Sequence, residues 1–172
     1  EAGAWCNSTQ EEGVAMRDGR HTCRGQLEPH QYNLPYRIPM SEGPLSRRGW
    51  RVVFFRVEIA DPVAGDEDVG GKLATESLAN GGTQSGQVWD WDDSREIAWA
   101  TDFSPNNSYR HAWTGPQLVD EDNVVYDDLQ IYVGSDNGSS RGINYFVVLE
   151  PITLTPSERI FAIIRNRSQS LD

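Results

Sequence analysis

Alternation of apolar and polar positions is densest at residues 48–60. There Val53, Phe55, Val57 and Ile59 fall on one side of a period-two ladder, and Arg51, Val52, Phe54, Arg56 and Glu58 on the other. The first side predicts a strand face in the core. The second mixes apolar bulk with charge and predicts a face only half covered by the domain's own second layer. Asp61-Pro62 ends the run, because proline cannot donate to the ladder and restricts the residue before it.

Shorter runs follow the same logic. Tyr32, Leu34, Tyr36 and Ile38 alternate with polar neighbours around Pro35, which predicts an edge or bulged strand. Residues 96–100 read as a strand, and residues 111–116 as a strand end or loop. Leu129, Ile131 and Val133 alternate in another strand. Residues 143–149 are nearly all apolar, which predicts burial on both faces, and residues 160–164 predict a final core strand. Between these runs, residues 65–71 are glycine-rich and acidic and predict a solvated loop. Residues 72–79 allow two turns of helix, with a Lys72/Glu76 pair and Asn80-Gly81-Gly82 at the end. Strands every ten to twenty residues, joined by long loops, predict an all-β fold: an antiparallel β-sandwich or jelly roll with at most one short helix. Residues 1–29 read as an N-terminal arm or loop region with room for one short strand, and residues 30–172 as a single domain, since two cores would each be small at this length.

Charge sharpens this picture. The net charge is −11, but residues 1–56 carry +2, residues 57–134 carry −13 and residues 135–172 are neutral. An acidic chain repels phosphate at long range, so a nucleic-acid partner requires the arginines of the first third to share one face. Fourteen of the fifteen basic residues are Arg, a bias toward bidentate pairing with carboxylate or phosphate. No run of eighteen apolar residues is present to cross a bilayer. Cys6 and Cys23 are too few for a disulfide scaffold and fit no zinc pattern, which leaves one bridge or two free thiols. Sequons at Asn7, Asn106, Asn137 and Asn166 permit an extracellular setting.

Several strings together resemble the jelly-roll coat proteins of small circular single-stranded DNA viruses and satellite viruses. They are Arg17-Asp18-Gly19-Arg20 ahead of a strand, residues 50–60 closed by Asp61-Pro62 and leading to residues 69–79, Arg95-Glu96-Ile97, residues 144–149, and residues 160–164 closed by Arg165. The likeness spans residues 15–168 and is one of pattern. It implies a structural, non-enzymatic subunit that assembles with copies of itself into a virion shell. Packaged nucleic acid would fall to Arg17, Arg20, Arg24, Arg47 and Arg48, each of which has the competing role of a surface ion pair.

Candidate chemistry is sparse. Acidic clusters at residues 66–68, 90–93, 120–122 and 127–128 offer hard oxygen ligands, which makes Asp66, Asp68, Asp90, Asp92, Asp120 and Asp122 candidates for Ca²⁺; no cofactor is required, and no cluster has the twelve-residue calcium-loop pattern. His21, His30 and His111 are isolated. No nucleophile elbow, zinc-protease helix or phosphate loop is present, so an enzyme is not expected. Trp89, Trp91 and Trp113 sit among polar residues, where an indole can stack on a sugar or anchor a partner, whereas Trp50 and Trp99 fall inside strand patterns and read as core. The second functional expectation is therefore a secreted β-sandwich that binds glycan through exposed Trp, with Ca²⁺ nearby.

Overall fold

A computed structural model describes residues 5–7, 19–27, 36–38, 48–60, 67–78, 85–105, 113–126, 128–135, 142–158, 160 and 164. Nine strands run in chain order as β1 (Trp5–Asn7), β2 (His21–Leu27), β3 (Tyr36–Ile38), β4 (Arg48–Ile59), β5 (Glu67–Ala74), β6 (Glu96–Ser104), β7 (Trp113–Val119), β8 (Leu129–Ser135) and β9 (Ile143–Thr153). They form a four-stranded sheet, β1-β2-β9-β4, and a five-stranded sheet, β3-β8-β5-β6-β7. Every pairing is antiparallel. Strands β2 and β9 pair, as do β3 and β8, and β5 and β6. The fourth couple, β4 and β7, lies side by side across a cleft of 570 Å³. Strand β7 pairs with β6 at the edge of the five-stranded sheet and not with β4, so the fold is a two-sheet antiparallel β-sandwich in which three of the four couples are hydrogen-bonded.

The core between the sheets is built from inward residues of both layers, among them Cys23, Leu27, Phe55, Val57, Ile59, Val69, Leu73, Leu129, Ile131, Val147 and Leu149. Strand β4 departs from the simple ladder. Val52 pairs with Leu149 and Phe54 with Val148, so Val53 is the extra residue of a β-bulge. The phase shifts there: Trp50 and Val52 are buried before the bulge, Phe55, Val57 and Ile59 after it, and Val53 is only half-buried.

Three expectations need correction. Residues 67–74 are neither loop nor helix but the central strand β5, paired on both sides. The glycines are there for close approach: a Cβ on Gly70 would lie 2.7 Å from the Gly86 carbonyl oxygen, and one on Gly71 would lie 2.5 Å from Val57 Cγ1. Strand β9 buries Ile143, Tyr145, Val147 and Leu149 on one face only, and leaves Asn144 and Phe146 exposed on the other. Residues 156–158, 160 and 164 are helical rather than a strand, with Ile160 and Ile164 exposed. Thr155 and Glu158 form a capping box: the Thr155 hydroxyl accepts the Glu158 N–H at 3.3 Å, and the Glu158 carboxylate accepts the Thr155 N–H at 2.8 Å. Pro156 follows the cap, at the position that favours it, so local chemistry overrides the β-branched run.

Both strands that precede residue 30 belong to the four-stranded sheet. In β1, Cys6 stands directly opposite Cys23 of β2. Cys23 is disulfide-bonded, and Cys6 is the chain's one other cysteine. The sequon at Asn7 lies in β1, and the other three lie outside the described residues.

The free edge of β4 is capped rather than left open. Trp50 exchanges backbone hydrogen bonds with Val125 at 2.8 and 2.7 Å. Asn123 accepts the Val52 N–H at 2.9 Å and donates to the Val52 carbonyl at 3.2 Å, while Asp102 accepts the Ile59 N–H at 3.1 Å. Among the described residues, no helix is long and apolar enough to cross a membrane.

Candidate functional site

The two sheets treat their outer faces differently, and that asymmetry locates the site. Outward residues of the five-stranded sheet lie beneath the β5–β6 connection. Ala74 and Tyr132 pack with Leu78, and the Leu78 N–H donates to the Tyr132 hydroxyl at 2.8 Å. Lys72, the chain's single lysine, donates to the Val88 carbonyl at 2.9 Å and forms an ion pair with Glu96; both side chains are 0 % exposed. This replaces the expected Lys72/Glu76 helix pair. The second carboxylate oxygen of Glu96 accepts the Asp90 N–H at 3.0 Å and the Trp99 indole N–H at 2.8 Å, so one buried acid holds sheet and connection together.

The outer face of the four-stranded sheet has no such cover among the described residues. Register places Arg24 of β2, Phe146 of β9 and Arg56 of β4 in one row across three strands, with Gln26, Asn144 and Glu58 in the next. Arg24, Gln26, Asn144 and Phe146 are exposed there, and Phe146 meets Phe54 edge-to-face at 6.1 Å. A cleft of 510 Å³ lies in this row, lined by Arg24, Gly25, Arg56, Glu58, Asn144, Tyr145 and Phe146. Tyr145, whose side chain packs on the core side of β9, has its hydroxyl pKa pushed above the usual value by burial. Arg56 pairs with Glu58, and Arg20 lies 3.6 Å from Glu150. With Arg51 beside Glu150 in register, the face holds four guanidiniums against two carboxylates, a positive patch on a chain of net charge −11. An aromatic floor between guanidiniums suits an anionic group carried on an aromatic or apolar body.

Of the arginines expected to meet nucleic acid, Arg20 and Arg24 stand on this face. Arg17, Arg47 and the side chain of Arg48 lie outside the described residues. Arg51 and Arg56, which complete the patch, were visible only as the polar side of the β4 ladder.

The acidic candidates serve local structure. Asp90 accepts the Asp92 N–H at 3.1 Å, and Asp120 accepts the Asp122 N–H at 3.0 Å, each closing an Asx turn. Asp68 is exposed on β5, Asp128 pairs with Arg37, and Asp66 lies outside the described residues. Among the described residues, no group of three or more His, Cys, Asp or Glu side chains gathers as a metal site.

The tryptophans separate cleanly. Trp50 is buried against His21, ring centroids 4.5 Å apart. Trp99 is half-buried on the outward side of β6, not in the core, because it alternates with the inward Ala98 and Ala100 and stands opposite Lys72; the bulge near Leu73 and Ala74 turns Glu96 to the same side, where it binds the indole. Trp89 donates to the Gly86 carbonyl at 3.0 Å. Trp91 is 67 % exposed at the tip of the connection, touching Trp99 edge-on at 6.3 Å. Trp113 belongs to β7, and its side chain, like His30 and His111, lies outside the described residues.

Arg95 clamps the same connection by donating to both carboxylate oxygens of Asp93, at 2.8 and 2.7 Å. That side-chain hydrogen bond holds the Asp93 carboxyl below its ordinary value of 3.8. A depressed folded-state value contributes stability above pH 3.8 that is lost as pH falls through the lower folded value. Asp93→Asn is therefore expected to cost about 1–2 kcal/mol at neutral pH. Thermal unfolding from pH 7 to pH 2 checks this: the gap to wild type closes at the acid end.

No family model, no curated protein and no solved structure matches the chain.

Proposed function

We propose that this chain is a structural subunit that assembles with copies of itself into a closed shell, as the resemblance to viral jelly-roll coats implies, and that it catalyses no reaction. The observation that carries the reading is the Arg24–Phe146–Arg56 face, which no described residue covers, in a domain that lays its own connection over its other outer face. A domain that exposes a patterned aromatic and guanidinium face gains by burying it against protein.

Sedimentation velocity with electron microscopy tests it, across micromolar protein concentrations and from low to molar salt. Discrete high-mass closed particles are expected. A monomer at every concentration and salt would sink the proposal.

A second reading rests on the exposure of Trp91 beside Asp90 and Asp92: glycan binding, with the indole stacked on a sugar ring. Glycan-array binding that disappears in Trp91→Ala would favour it, and an array without signal would remove it.

A further inference from the structure

We infer that the turn at residues 90–93 of one copy, with Trp91 at its tip, docks into the Arg24–Phe146–Arg56 cleft of the next. This rests on the shell reading and supplies the contact by which copies join.

The two partners lie on opposite outer faces of one domain. The turn sits over the five-stranded sheet, fixed by the bond from Lys72 to Val88 and the contact of Trp91 with Trp99. The cleft opens on the four-stranded sheet. No copy can satisfy its own contact, so the joint is heterologous and propagates head to tail until rotation closes it.

Their chemistry is complementary. Trp91 is largely exposed, and the cleft offers Phe146, itself 37 % exposed, as an edge partner, with Arg24 and Arg56 placed to lie over an indole. Asp90 and Asp92 are exposed on either side of Trp91 and can meet Arg24 and, in exchange for its Glu58 partner, Arg56. Asp93 is excluded because Arg95 already holds both its oxygens. Charge distribution agrees: the segment that donates the turn is the strongly acidic middle of the chain, and Arg24 and Arg56 line the receiving cleft, with Arg20 and Arg51 farther along the same face.

The donor is also preorganised. Asp90 is held by Glu96 and closes the Asx turn on Asp92, Trp89 is tied to Gly86, and Asp93 is clamped by Arg95. Little loop entropy is lost when it docks.

Paired charge reversal on the full chain tests the joint. One variant carries Arg24→Glu with Arg56→Glu, the other Asp90→Arg with Asp92→Arg; circular dichroism and thermal unfolding first establish that both are folded. Each alone is expected to raise the concentration needed for assembly by about tenfold or more. An equimolar mixture is expected to restore particles, since the reversed cleft accepts the reversed turn and the unaltered cleft the unaltered turn. Acrylamide quenching of Trp91→Phe against wild type supplies a measurement free of charge changes: assembly should shield an indole in wild type that the variant lacks.

If wild type assembles and both variants assemble alike, or the mixture stays apart, this joint is wrong while the shell stands. If wild type never assembles, both fall. If the cleft variant sediments as wild type but loses binding of a short single-stranded DNA oligonucleotide, the cleft serves nucleic acid, and the joint is overturned.

Discussion

Replacing Glu96 by alanine is expected to destabilise the fold by about 3–5 kcal/mol, the range for removing one partner from a buried ion pair. The Lys72 ammonium would remain fully enclosed, with the Val88 carbonyl as its one remaining acceptor among the described residues. The Asp90 N–H and the Trp99 indole N–H would lose their acceptor as well. Each orphaned donor adds its own desolvation cost. Lys72→Met removes the other charge but leaves the carboxylate with those two N–H donors, so a smaller loss is expected. Urea unfolding at pH 7 orders the two: the midpoint should fall further for Glu96→Ala than for Lys72→Met, at similar slope. Equal midpoints would mean that Glu96 does no more than neutralise Lys72. Amide exchange should also quicken across residues 88–92 in Glu96→Ala, because the anchor of the connection is gone. On the proposed joint, loss of that order would weaken assembly through the turn that carries Trp91, even with the cleft intact.

How much of this was legible beforehand depends on the range of the interaction. Apolar content alone located β6 and β9 without their facing. Period-two alternation located β4 and β8, because the side on which a residue falls is a local property of the ladder. It also marked Arg51, Phe54, Arg56 and Glu58 as a half-covered face. It could not say which strands would lie beside that face. Arg24 and Arg56 become neighbours only because β9, late in the chain, inserts between β2 and β4 and presents Phe146 to both. Grouping Arg24 with Arg17, Arg47 and Arg48 followed chain order and missed this register.

Other misses were local conflicts. Gly70, Gly71 and the acids before them carry the composition of a turn, yet the glycines are small so that Val57 can approach from inside and residues 86–87 from outside. That demand comes from two segments the local string does not show. The bulge at Val53 is similarly silent, since one extra valine looks like a longer run. The capping box at Thr155 and Glu158 was readable as threonine, proline and a glutamate three residues on. The apolar, β-branched run after it carries the opposite local preference and masks that signal.

Truncating Phe55 to alanine is expected to cost about 3–5 kcal/mol, as for other fully enclosed phenylalanines. The site has little means of collapse. Phe55 and Val57 of β4 press on the backbone of Gly71 in β5, so the two sheets touch here through two side chains and a bare Cα. The same closeness predicts that Gly71→Ala overpacks the seam by about 1–3 kcal/mol. Its Cβ would lie 2.5 Å from Val57 Cγ1 and 3.1 Å from Phe55 Cζ, and pairing of Gly71 with Ala100 on one side and Val133 on the other limits retreat. Val57→Ala removes the nearer obstacle, so the cost of Gly71→Ala should shrink in that background by about 0.5–3 kcal/mol. A double-mutant cycle in urea measures the coupling directly. Strict additivity would show that β4 does not bear on β5 at this point. The phase set by the Val53 bulge, on which the outward placement of Arg56 also depends, would then need redrawing, because Phe55, Val57 and Arg56 occupy alternate sides of one continuous ladder.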